Sequence, residues 1–322
     1  VCERWRDDGT ARYTTIRRVS SSPHPVAAPA PTHYENFPVA SWLCPPRLRP
    51  PIAAIYGFAR TADDIADEGE AGAAERLDDL RAFRADLAAA ARGAAPSARW
   101  PEVFGPLAHA MRSFALPEPL LADLLSAFMQ DIEKTRDGQG YADRAELLDY
   151  CRRSANPIGR LLLHLYGVDD ARALAQSDAI CSALQLINFW QDLSVDLPRG
   201  RFYLPHADSA VHGLAAKDFE GFRPLAPAAP PPAAIALIAG EVAWARALMN
   251  EGAPLVHRLP GRAGWELRFV VQGGLRILDK IEALGCDSFS QRPTIGKADA
   301  TLLAWRAFWM RRQSPAMKSF PR

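Results

Sequence analysis

Residues 181–205 read CSALQLINFWQDLSVDLPRGRFYLP. Placed on a helix at about 100° per residue, Cys181, Leu184, Gln185, Asn188, Asp192 and Asp196 share one face, while Leu186, Phe189, Trp190 and Leu193 cover much of the rest. A helix that is apolar nearly all round belongs at the centre of a fold. Its one polar stripe holds amides and two carboxylates at one-turn spacing, and core helices seldom keep such a stripe without a ligand.

A second acidic stretch, ARTADDIADEG at 59–69, follows the apolar run PPIAAIYGF. Pro50 and Pro51 suit the first turn of a helix. On the same wheel Ile52, Tyr56, Arg60, Asp63 and Asp67 lie within about 80° of one another, with Asp64 further round. Paired carboxylates on an inward face repel and lose solvation unless a cation joins them. The alternative is a solvated acidic helix end, since Asp-Asp occurs three more times, at 7–8, 78–79 and 169–170. Two helices that each present Asp-x-x-x-Asp across a bundle supply the all-oxygen ligation suited to Mg²⁺. A few carboxylates around a hydrated Mg²⁺ leave positions for substrate phosphates, so a diphosphate is expected.

Composition narrows the classes. The chain has 322 residues, with 38 Lys and Arg against 37 Asp and Glu, which supplies no field for nucleic acid. Five scattered cysteines without a C-x-x-C pair argue against a disulfide framework or a zinc site and suit a reducing, cytoplasmic setting. The most apolar stretches, AAIALIAGEVAWA at 233–245 and LLLHLYG at 161–167, fall short of the roughly 20 residues that cross a bilayer. Residues 1–31, polar and then rich in Ser, Pro and Ala, read as a disordered leader. From Thr32 the Ala-, Leu-, Arg- and Glu-rich pattern with scarce alternation predicts an all-α fold: a single domain over 32–293, then a C-terminal helix and frayed tail over 294–322. The Pro-rich run 222–234 reads as a loop between helices.

One helix, ELLDYCRRSANPIGRLLLHLYG at 146–167, carries its own break. Pro157 lacks a donor and clashes with the preceding turn, and Gly159 permits close approach, so a kink is expected there. Ser154 and Asn156 put a hydroxyl and an amide beside it; they either cap the freed backbone groups or hold a water.

The motifs DDIAD and NFWQDLSVD, with RGRFYLP behind the second, resemble those of the squalene/phytoene synthase family. The resemblance runs from His33 to about Pro293. It implies the class I isoprenoid (terpenoid) synthase fold, a helical bundle around a central hydrophobic cavity. HYENFPVASWLCP, FARTADDIADEG and YCRRSANPIGRLLL bring it closest to the branch that converts presqualene diphosphate to hydroxysqualene. Carried onto this chain, the family pattern implies that Asp63, Asp67, Asn188, Asp192 and Asp196, with Asp64 as a helper, hold two or three Mg²⁺ ions bridged by the diphosphate. Tyr56, Arg60 and Gln185 would shape the site and grip phosphate. For Tyr56 a core role is nearly as good a reading, and the partner of Arg60 is either phosphate or its own carboxylates. Arg199 and Arg201 would form a flap, and Arg152 and Arg153 would attend the departing diphosphate. Leu161, Leu162, Leu163 and Leu184 offer apolar wall, and the rings of Phe37, Tyr150 and Phe189 would face a carbocation.

Many family members begin with His-Ser-Lys-Ser-Phe, whereas this chain has His33-Tyr34-Glu35-Asn36-Phe37, and Glu35 replaces a cation. That weakens a second prenyl-diphosphate site and favours one preformed substrate, handed on by a presqualene diphosphate synthase. The tyrosine that many members carry near the C-terminus falls at Cys286, to which no role is given. No G-x-G-x-x-G marks a nucleotide turn, so water rather than NADPH is the expected quencher. The rivals are head-to-head condensation of two farnesyl diphosphates and a non-catalytic assembly factor of the same fold. So greasy a substrate leaves room for peripheral contact with the inner face of the membrane.

Overall fold

The computed structural model describes residues 44–219 and 229–310. The expectations for the leader, His33, Phe37 and the tail from 311 onward lie outside those residues. Among the described residues every regular element is helical: α1 (Arg49–Asp67), α2 (Ala73–Ala91), α3 (Pro101–Phe114), α4 (Glu118–Arg136), α5 (Arg144–Ser154), α6 (Asn156–Leu165), α7 (Ala171–Gln191), α8 (Leu193–Asp196), α9 (His206–Val211), α10 (Pro232–Gly252), α11 (Gly261–Ala283) and α12 (Asp299–Trp309). Prolines stand in the first two positions of α1, α3, α4, α6 and α10, where the missing N–H costs nothing. Two of the repeated Asp-Asp pairs find ordinary work. Asp170 caps α7 by accepting from the Ala173 N–H at 3.0 Å, and Asp78 and Asp79 pair with Arg81 and Arg99 at the surface.

Two apolar cores form. The first joins α1 to α4, with Phe58, Phe83 and Phe104 in ring contact, and takes in Leu161 and Leu165 of α6. The second surrounds α7 with residues of α5, α6, α10 and α11. From Cys181 to Asp196 every residue is buried except Gln185, Asn188, Asp192, Val195 and Asp196, which are half-buried. The polar stripe of the central helix is therefore its one partly solvated edge. The helix is interrupted at Asp192, yet the Asp196 N–H still donates to the Asp192 carbonyl at 2.8 Å, so the one-turn spacing survives.

The expected kink lies at Ala155, where α5 ends and α6 begins two residues before Pro157. Gly159 lets α6 close on α7, since a Cβ there would stand 2.4 Å from Ser177 Oγ and 2.6 Å from Cys181 Sγ. Helices α10 and α7 also meet closely, and here against backbone, because a Cβ on Gly252 would meet the Gln176 carbonyl oxygen and Ile180 Cγ1, each at 2.6 Å. A backbone carbonyl cannot swing away as a side chain does. Gly252→Ala is expected to cost about 2 kcal/mol in chemical denaturation; a loss below about 0.5 kcal/mol would show that the two helices separate freely.

The stretch 233–245 underestimates its helix. Pro232–His257 runs for 26 residues and is long and apolar enough to cross a membrane by length and composition. Counting apolar residues stops at Arg246, whereas the backbone continues. The buried side of α10 packs on α7 and includes Glu241, 1% exposed, whose carboxylate takes Arg144 Nη2 at 3.2 Å. A buried acid with a protein partner suits a core helix, and lipid would leave it unpaired.

Candidate active site

The acidic end of α1 borders the first core without entering it. Ala54, Ile55, Phe58, Ala62 and Ala66 form its buried stripe, while Ile52, Tyr56, Arg60, Asp63 and Asp67 are half-buried along the adjoining edge. Opposite stands the segment after α8. Arg201 donates from Nη1 to Asp67 Oδ2 at 3.0 Å and from Nη2 to Asp67 Oδ1 at 2.6 Å, a bidentate pair across 134 residues of sequence. The flap of the second acidic motif thus grips the first.

A cleft of about 450 Å³ opens here, lined by Asp67, Arg76, Asp131, Arg136, Arg199 and Arg201 among others. Asp67 arrives on α1, Arg76 on α2, Asp131 and Arg136 on α4, and Arg199 and Arg201 from the segment that follows α8. Arg76 is committed to holding the loop after α1 through the Ala66, Gly69 and Ala71 carbonyls. Arg136 pairs with Asp137, while Arg199 has no ion pair among the described residues.

Asp131 is the residue that sequence reasoning missed. Both its oxygens accept from the Tyr203 hydroxyl, at 3.0 and 2.8 Å. Burial pushes its carboxyl up to about 6, against the pull of Tyr203 and Arg201, and Asp67 pushes the same way as burial. Asp196 rises to about 7, by burial first and then by the charge of Asp192, with Arg201 opposing. Carboxylates that repel one another in a half-dry cleft are the chemistry a divalent cation would relieve.

Four of the motif acids, Asp63, Asp64, Asp67 and Asp192, hold a basic or amide partner. Arg60 pairs with Asp63 at 3.1 Å, with Asp64 at 2.7 Å and with Glu68 at 2.7 Å, so its own carboxylates supply its anions. Asp192 accepts from Asn188 Nδ2 at 3.0 Å and is forked by Arg292. Among the described residues no three His, Cys, Asp or Glu side chains stand together as a metal-holding group. The oxygen donors are of the type that suits a divalent cation, and in this structure Arg201 and Arg292 are the partners of Asp67 and Asp192.

The aromatic floor is well formed. Phe189 stacks on Tyr203 with centroids 3.8 Å apart, and Tyr150 lies 6.1 Å from Phe189 and 6.4 Å from Tyr203. Burial, with Asp131 next, raises the Tyr150 hydroxyl well above its ordinary value and keeps it neutral. Asn156, buried, accepts from the Ser182 hydroxyl of α7 at 3.0 Å, so its oxygen ties the kink to the central helix. Ser154 Oγ is buried with no hydrogen-bond partner among the described residues. Arg152 and Arg153 both turn to Asp149, and Arg153 also reaches Ser126 and Gln130 on α4; neither joins the Asp67 cluster. Leu161 is packed in the first core, and Leu163 and Leu184 in the second.

A family model described as squalene/phytoene synthase matches residues 30–299. Hydroxysqualene synthase of Rhodopseudomonas palustris is 34% identical over 260 residues, covering 80% of this chain and 82% of that protein. Presqualene diphosphate synthase of the same organism is 29% identical over 200 residues, covering 62% of this chain and 68% of that protein. The crystal structure of squalene synthase HpnC from Alicyclobacillus acidocaldarius superposes with a TM-score of 0.69 at 34% identity, covering 79% of this chain and 90% of that one.

Proposed function

We propose that this chain, which belongs to the squalene/phytoene synthase family and is an enzyme of it, ionises presqualene diphosphate and captures the rearranged cation with water to give hydroxysqualene. The observation that carries the reading is the Arg201–Asp67 pair, which joins the first acidic motif to the segment directly behind the second. The likeness to hydroxysqualene synthase over four fifths of the chain supports the choice of product.

Mg²⁺ held by Asp63, Asp67, Asn188, Asp192 and Asp196, with Asp64 beside them, would neutralise the diphosphate and polarise the bond to carbon. Asp131 joins that acidic set from α4. Arg199 and Arg201 take the negative charge that grows on the leaving diphosphate as the C–O bond breaks and its electron pair departs. Arg201 is poised for this because its present partner is a carboxylate, which a phosphate replaces fork for fork. Arg60 stands one turn from Asp63 and does the same at the first motif. Tyr56 and Gln185, half-buried on the same helix edges as the motif acids, would orient the diphosphate.

The faces of Tyr150, Phe189 and Tyr203 would then stabilise a cyclopropylcarbinyl cation while it rearranges. Neutral phenols suit that role, since burial keeps them protonated. Ser154, with its buried hydroxyl uncommitted, positions the water; Asn156 fixes the kink that carries Ser154. The water oxygen forms the new C–O bond and its proton passes to the released diphosphate.

Incubation with presqualene diphosphate and Mg²⁺ in isotopically labelled water is expected to place the label in the hydroxyl of hydroxysqualene. A hydrocarbon, or an unlabelled alcohol, would overturn water capture. The similarity to presqualene diphosphate synthase favours a second reading, the joining of two farnesyl diphosphates. Farnesyl diphosphate supplied alone is expected to give no coupled product, and its appearance would establish that reading instead.

A further inference from the structure

Helix α12 is fastened to the body through its polar groups. Asp299, 5% exposed, receives Arg276 at 2.8 Å and Lys280 at 2.7 Å, and Arg306 reaches Asp279 at 2.6 Å. Arg268 donates to the Ala307 carbonyl at 3.1 Å, and Ala307 is fully buried. The aromatic side is left outside: Trp305 is 64% exposed, Phe308 62% and Trp309 49%. Trp265 and Phe269, one turn apart on α11, are also exposed. The rings form a connected surface, with Trp305 and Phe308 each 5.4 Å from Trp309 and Trp265 6.3 Å from Phe308. Of the six large apolar side chains exposed among the described residues, five belong to these two helices, so this is a patch and not scatter.

A helix that turns its ion pairs inward and its tryptophans outward inverts the order that water imposes. Its charge says what covers it. After Asp299 the sequence holds no acid and five basic residues, Arg306, Arg311, Arg312, Lys318 and Arg322, in a chain whose net charge is +1. The neighbouring acids Asp279 and Asp299 are consumed in ion pairs, Glu266 is half-buried, and Arg268 lies over the Trp265 ring at 4.5 Å. Amphipathic aromatic rings beside basic residues are the composition of a segment that lies in the headgroup region of an anionic bilayer.

We propose that the α11–α12 aromatic face docks this protein on an anionic lipid surface, with Trp265, Trp305, Phe308 and Trp309 at headgroup depth. The inference is independent of the reaction, and its test reads no turnover.

The full chain is to be sedimented with vesicles of phosphatidylcholine alone and with phosphatidylglycerol added. Binding is expected on the mixed vesicles and to weaken with salt, and Trp305→Ser/Phe308→Ser/Trp309→Ser is expected to lower it about tenfold or more. Wild-type fluorescence is also expected to be quenched by brominated lipid in the mixed vesicles, and Trp305→Phe/Trp309→Phe to remove most of that quenching, which serves if the triple variant fails to fold. Absence of wild-type binding, equal binding by the folded triple variant, or unchanged quenching in the double variant would each overturn the proposal. So would a solution dimer that the triple variant breaks, with no vesicle binding, because the face would then belong to a second copy.

Discussion

Asp67→Asn is expected to lower kcat/KM for presqualene diphosphate by about 10³-fold or more while leaving the helical circular dichroism unchanged. Asp67 closes α1 at the edge of the first core, 29% exposed, so the amide disturbs little packing. What is lost is one negative charge from the proposed cation site and one acceptor from the bidentate pair with Arg201. Arg201→Lys keeps the charge but not the fork, and about 10²-fold is expected from it. The two separate in a Mg²⁺ titration: the asparagine variant should need more metal for half-maximal rate, the lysine variant mainly more substrate. Arg152→Ala provides the contrast, since Arg152 is 55% exposed and bound to Asp149, and it should stay within about threefold of the parent. An Asp67→Asn enzyme within about tenfold of the parent would remove Asp67 from the chemistry.

How much of this site was legible in the sequence depends on how far each signal reaches along the chain. The stripe of Gln185, Asn188, Asp192 and Asp196 and the kink before Pro157 are written within a few turns, and the wheel and proline sterics read them directly. Asp131 is also written locally: it falls about 20° from Leu124 on the buried side of α4. A lone acid on an apolar stripe is a weaker signal than a repeated pair, and its partner Tyr203 is 72 residues away. The choice between partners is the part no periodicity encodes. Arg152 and Arg153 follow Asp149 by about one turn, and that carboxylate holds both. The hold of Arg292 on Asp192 spans 100 residues and depends on how α11 and the chain after it return to the central helix. The length of α10 was hidden for a different reason: an apolar count ends at a charge, and a helix ends where its backbone bonds do.

The same carboxylates that make the site should make the metal-free protein less stable as pH rises, and Asp196→Asn should remove much of that loss. The native Asp196 carboxyl holds its proton up to about 7 and that of Asp131 up to about 6, whereas in the unfolded chain both release it near 4. Between about pH 4 and pH 7 the native state therefore binds more protons than the unfolded one, and stability falls with rising pH through that window and levels off above it. From pH 5 to pH 8 the Asp196 contribution alone is of order 2–3 kcal/mol, at about 1.4 kcal/mol per pH unit over the two units below its native value. Chemical denaturation in chelator should show the parent losing that much, the asparagine variant losing markedly less, and Mg²⁺ restoring the parent at pH 8 but scarcely at pH 5, where protons hold the ligands. The variant should be more stable than the parent at pH 8 without metal and nearly inactive with it, because the repulsion that weakens the fold is the affinity for the cation. Metal-free stability that rose from pH 5 to pH 8, or parallel curves for parent and variant, would mean that these acids are not strained against one another and have no need of an ion.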